Sequence, residues 1–216
     1  MTITLLCTNV THPVVPWLRR WQAEQQARGH TVALCADKKE LTSGDILFLV
    51  SCGQIIREAE RNRYRAVLVL HASDLPQDRG WSPHIWNIVE GANRITVSLL
   101  EARDPLDTGD IWKKVHFDLA GHELLPEINE RLFAAELALM TEAVDGFGTI
   151  EPTPQAPGAG PHRRQRTAAD SRLDPDQTLA RQFDLLRVVD NDRYPAFMDY
   201  RGARYLIRIE KAPHES

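Results

Sequence analysis

The chain has 216 residues, of which 43% are hydrophobic and 26% charged, with a formal net charge of −4. That apolar content can fill a sizeable core, which excludes a globally disordered chain. The acidic balance argues against a nucleic-acid partner, which usually leaves a basic footprint.

The amino-terminal segment TITLLC reads as a buried strand, and VVPWLRRWQAEQQARG as a helix. Val14, Leu18 and Trp21 share one face of that helix, and Gly29 supplies a left-handed stop. Further strands are expected at HTVALC, at DILFLV (45–50) and at AVLVL (66–70), with a short helix in IIREAERNRY before the last of these. Ser82 and Pro83 then suit the N-cap and first position of a helix over SPHIWNIVEGA. RITVSLLEA and DIWKKVHF read as an antiparallel pair joined by the turn-rich RDPLDTG. The longest helix follows, with Leu125, Ile128, Leu132, Ala135 and Leu139 stepping along one face. Strand–helix alternation of this kind predicts a mostly parallel, Rossmann-like α/β sheet with helices on both faces.

Composition changes at Glu151, where EPTPQAPGAGPHRRQR holds five prolines. Residues 1–150 are therefore read as the main domain, 151–170 as a proline-rich linker that crosses the molecule, and 171–216 as a small helix-plus-hairpin appendage packed on the sheet. The appendage helix is expected over DPDQTLARQFDLLRVV with Leu179, Phe183 and Leu186 inward, and the hairpin over AFMDYRGARYLIRI, turning near Arg201-Gly202. The basic run HRRQR (162–166) is read as a solvated stretch of the linker.

No glycine-rich phosphate loop, G-x-S-x-G or H-E-x-x-H is present. The eight histidines form no metal-spaced cluster, so no zinc centre is expected. Cys7, Cys35 and Cys52 form no C-x-x-C pair; the first two read as core thiols, and Cys52 lacks an activating partner. No run of about 18 apolar residues and no basic, apolar leader appears, so a soluble, cytosolic protein with no membrane contact is the expectation. Trp17, Trp21 and Trp86 are read as core. Trp81, inside the polar loop HASDLPQDRGWSP, is read as a pocket residue.

That loop follows an apolar, β-branched strand, and ligands of open α/β sheets gather where strands end. His71 is its leading candidate, and Asp107 in the turn DPLDTGD is its candidate partner. If the strand entering that turn lies beside the strand ending at Leu70, carboxylate and imidazole meet and can move a proton near neutral pH. A loop-capping histidine and a turn-forming aspartate are the alternative reading of the same spacing.

At these residues the chain resembles the 10-formyltetrahydrofolate-dependent formyltransferases. The loop matches the family pattern at His71, Ser73, Leu75, Pro76, Arg79, Gly80 and Pro83, and LDTGDI (106–111) matches the second motif. SCGQII (51–56) and the appendage are also family-like, so the resemblance spans roughly residues 1–210. It departs at Val69, where the family has an asparagine that holds the formyl oxygen; Asn87 and Ser51 are the candidates to take over. Asp74 replaces a usual leucine.

The resemblance implies His71 and Asp107 as catalytic residues. It places the folate against Ile55, Glu101, Arg103, Leu106 and Asp107, and the acceptor against Ser73, Asp74, Arg79 and Trp81. The implied formyl donor is 10-formyltetrahydrofolate. The short tail looks most like the sugar branch, which implies an amino-sugar acceptor, nucleotide-linked or otherwise activated, in surface-glycan synthesis; a homodimer is common in the family. Two rival readings are a member that binds folate or a nucleotide sugar without catalysis, and a formyltransferase for a non-sugar amine.

Overall fold

The computed structural model describes residues 1–157, 160 and 162–212. In chain order the elements are β1 (Thr2–Leu6), α1 (Val15–Ala27), β2 (Thr31–Cys35), β3 (Gly44–Leu49), α2 (Glu58–Arg61), β4 (Tyr64–His71), β5 (Arg79–Gly80), α3 (Pro83–Val89), β6 (Arg94–Glu101), β7 (Ile111–Asp118), α4 (Leu125–Asp145), β8 (His162–Arg163), α5 (Phe183–Leu186), β9 (Ala196–Tyr200) and β10 (Ala203–Ile207). The main sheet has the order β2-β1-β3-β4-β6-β7. Its first four strands are parallel, and β6 and β7 are antiparallel.

Strand alternation sends Ile3, Leu5, Phe48, Leu68, Leu70 and Leu99 to one face, where α1 and α4 cover them with Leu18, Trp21, Leu132 and Met140. The other face carries Leu6, Leu47, Leu49 and Val67, packed against Cys35, Leu41, Ile56 and Tyr64. Helices were expected on both faces. The second face instead has only the single turn α2 and the loop residues Leu41 and Ile56, because the connections there are too short for a longer helix. Cys7 and Cys35 are buried thiols, as read; burial pushes both pKa values up.

Two local expectations fail. Ser82 adopts left-handed backbone (φ 43°) and makes no capping hydrogen bond, so α3 starts on Pro83 alone. The appendage helix shrinks to a 3-10 turn at Ala180–Gln182 and the one-turn α5. Leu179 is 65% exposed; Leu186 is buried with Leu173, Val189 and Ala196 in a small cluster of its own. The appendage meets the rest of the chain through Val188, which packs with Ile85 and Ile88 of α3, Ile95 of β6 and Ile128 of α4. The hairpin β9–β10 turns at Arg201-Gly202, as read.

Candidate functional site

β4 lies between β3 and β6, so its carboxyl end falls inside the sheet. His71 is the last residue of β4 rather than the first of the loop, and it pairs with Ser98 of β6. The antiparallel register puts Glu101 opposite Leu68, so β6 ends level with a point roughly 10 Å short of His71. The connection from Ala102 to Asp110 must therefore turn back along β4 for Asp107 to reach the histidine. Three contacts shape that return. Arg61 of α2 pairs with Asp104 at 2.6 Å. Asp107 adopts a left-handed backbone (φ 59°). Gly109 lies so close to Glu101 that any Cβ would strike its carbonyl.

The result is a His71 Nδ1 to Asp107 Oδ1 distance of 3.7 Å. The other oxygen, Oδ2, accepts from the Gly80 amide at 3.0 Å, and His71 Nε2 meets the Asp78 carbonyl at 3.1 Å. Nε2 can only donate to a carbonyl, so that contact fixes an N–H on the far side of the ring from Asp107. The side chains of the pair are 8% and 16% exposed.

Much of that cover comes from the proline-rich segment, read from sequence as a solvated linker. Gln155 donates to the carbonyls of Asp107 and Gly109 and accepts from Arg79. β8 pairs with β5, and Arg163 reaches Asp78, Asn87 and Glu90 together. Gly80 is needed there because a Cβ would meet the Arg163 carbonyl at 2.3 Å. Trp86 lies on the surface of this strap, stacked under Arg164 and Arg166 and donating to the Arg164 carbonyl, so it is not a core residue. Trp17 is half-buried, whereas Trp21 is buried as expected.

The other predicted contacts scatter. Ser73 is buried with Oγ donating to the Gln77 carbonyl, a loop brace. Asp74 is exposed and paired with Lys114. Trp81 is half exposed. Arg103 bridges Glu101 and Asp110, and Trp112 also donates to Glu101, so those two predicted folate contacts are paired within the chain. Ile55 and Leu106 are 57% and 60% exposed, apolar surface that a ring could cover. Val69 packs beside Cys52 and Ala102 and presents no polar group. Of its proposed substitutes, Asn87 is held by Arg163, and Ser51 bonds His12 Nε2 at 3.4 Å.

One residue escaped the sequence reading. His84, in the first turn of α3, has a sealed Nδ1 without a partner among the described residues. Burial pushes its pKa down to about 4, with His71 and His12 adding to the shift, so it is neutral at pH 7. Its position directly after Pro83 was the only signal available.

A Rossmann-like sheet with an imidazole and a carboxylate at the exit of a central strand defines a protein whose site lies at the strand ends. Residues 11–144 match the family model described as Formyl transferase, and the chain belongs to that family. Its members draw the formyl group from 10-formyltetrahydrofolate.

The methionyl-tRNA formyltransferase of Rickettsia rickettsii (strain Iowa) is 29% identical over 133 residues, 61% of this chain and 44% of that protein. This chain thus spans less than half of that relative. Three solved structures share the fold. A methionyl-tRNA formyltransferase from Clostridium thermocellum superposes with a TM-score of 0.82 at 22% identity, covering 100% of this chain and 95% of that one. HypX from Aquifex aeolicus in complex with tetrahydrofolic acid gives 0.79 at 20%, covering 96% and 37%. A sugar N-formyltransferase from Shewanella sp. gives 0.74 at 16%, covering 100% and 99%. No described helix is long and apolar enough to cross a membrane.

Proposed function

We propose that this chain transfers the formyl group of 10-formyltetrahydrofolate to the primary amine of an amino sugar, with His71 and Asp107 as its catalytic residues. The observation that carries this reading is the 3.7 Å approach of His71 and Asp107, brought together from separate motifs. As the amine attacks the formyl carbon, negative charge grows on the formyl oxygen. His71 Nε2–H, which now faces the Asp78 carbonyl, can give its hydrogen bond to that oxygen instead. A donor placed in this way is worth about 3 kcal/mol. Asp107 holds the ring from the Nδ1 side and is placed to collect the proton released by the attacking nitrogen. Ile55 and Leu106 would cover the pteridine ring, which supplies the leaving nitrogen.

Charge supports a sugar over a tRNA. In the appendage, Arg172, Arg187, Arg193, Arg204 and Arg208 each contact a carboxylate, leaving little unmatched basic surface for a phosphate backbone. Val69 favours one rival, a member that binds without catalysis. Incubation with 10-formyltetrahydrofolate and a panel of amino sugars, beside methionyl-tRNA and hydroxylated ornithine, separates the readings by mass spectrometry. An amino sugar is expected to gain the mass of CO. Transfer to the tRNA or the ornithine alone, or to nothing in the panel, would reject the assignment.

A further inference from the structure

The sugar itself needs a seat, and the structure offers a cleft of ≈ 590 Å³ between the start of α1, the first turns of α4 and the appendage. That volume lies within the usual range of small-molecule sites. We infer that this cleft holds the sugar ring of the acceptor, and that it takes a neutral or cationic polyol rather than a nucleoside diphosphate. The inference rests on the amine-formylation reading above.

Arg187 forms part of the lining. It is 1% exposed, its Nε donates to Asp184 at 2.7 Å and its Nη2 to Asn93 at 3.0 Å. Its Nη1 is buried and has no partner among the described residues. A guanidinium N–H left unbonded in a protein interior is unfavourable, so a donor like this marks a place where an oxygen from outside the chain completes the set. Trp17 and Phe133 supply apolar walls against which the C–H face of a pyranose can lie.

The charges around the cleft select the ligand. Asp184 matches Arg187, Arg193 matches Asp190, Arg208 meets Asp192 and Glu127 holds Lys211. Glu130 and Glu210 also line it and have no cationic partner among the described residues. Two phosphates would meet carboxylates with no unmatched cation to receive them, whereas sugar hydroxyls and an ammonium find acceptors.

The cleft is also continuous with the catalytic pair. Its rim residue Pro13 follows His12, which contacts Ser51 at the end of β3. Both His12 and His71 lie close enough to His84 to influence it. Val188, beside the lining residue Val189, packs on α3, the helix that leaves the His71 loop.

The test measures binding by calorimetry to the full chain without a formyl donor, using glucosamine, galactosamine, 4-amino-4-deoxyglucose and UDP-glucosamine. Two variants are compared with wild type: Asn129→Trp, which fills the cleft from α4 without touching Arg187, and Arg187→Met, which removes the free donor. At least one free amino sugar is expected to bind the wild type, with UDP-glucosamine binding no tighter than glucosamine. Each variant should weaken sugar binding by at least about tenfold while tetrahydrofolate binding, measured in parallel, stays unchanged. Binding that survives Asn129→Trp, tenfold tighter binding of UDP-glucosamine, or no binding of any probe to the wild type would each overturn the cleft assignment. Cleft binding in a protein that formylates no amine would instead sink the formylation reading and leave the cleft as a sugar site.

Discussion

In the sheet, Ile3, Leu5, Phe48, Leu68 and Leu99 are sealed against α1 and α4, whereas the chain beyond Glu151 is held largely by guanidinium–carboxylate contacts around Arg163, Arg164, Arg187 and Arg204. Burial of hydrocarbon is worth about 25 cal/mol per Å² and does not depend on ionic strength. An exposed ion pair is worth about 0–1 kcal/mol and weakens with salt. The two halves should therefore respond differently to mutation, pH and salt. The candidate site belongs to both: His71 is set by the sheet, and its cover by the arginine-held strap.

The largest expected effect is in the sheet. Phe48→Ala should cost about 3–5 kcal/mol in urea unfolding, since the ring is fully buried against Trp21. A loss under about 1 kcal/mol would remove the distinction between the two halves.

Glu136 of α4 breaks the apolar pattern of the same core. It is buried, its Oε2 is unpartnered, and burial raises its pKa to about 8 from an ordinary 4.5. The folded chain keeps a proton that the unfolded chain releases, so stability falls as pH rises from about 4.5 to about 8. His84, held neutral down to about pH 4, acts in the opposite direction below its ordinary 6.5, so the Glu136 effect stands alone between 6.5 and 8. There the wild type should lose up to about 1.4 kcal/mol per pH unit. Glu136→Gln should flatten that slope in pH-dependent urea melts. An unchanged slope would place the titrating group elsewhere.

Arg163→Met probes the strap. Its partners Asp78, Asn87 and Glu90 anchor the 77–90 region, so global stability should fall by only about 1–2 kcal/mol. Amide exchange at Gly80 and Trp81, which bond Asp107 and the Arg163 carbonyl, should accelerate, and formyl transfer should drop. Protection unchanged at both amides would show that the strap does not depend on Arg163. The smallest effect belongs to Leu179→Ala. The side chain is exposed despite its helical spacing, and thermal unfolding should move by the equivalent of less than about 0.5 kcal/mol.

What the sequence alone determined is whatever local pattern and chain chemistry control. Period-two apolar runs placed the strands, the 3.6-residue face of Leu125–Leu139 placed α4, and HASDLP with LDTGD marked the site. These features depend on neighbours a few residues apart, which a reader of the chain can see. Tertiary structure alone decided the rest. The strand register fixes how far the Asp107 turn must travel to reach His71. The strap over that pair depends on Arg163 meeting residues more than seventy positions away, and its charged, proline-rich sequence reads locally as solvated linker. The appendage helix failed because Leu179 has nothing to pack against, and apolar spacing stabilises a helix only where another surface covers it.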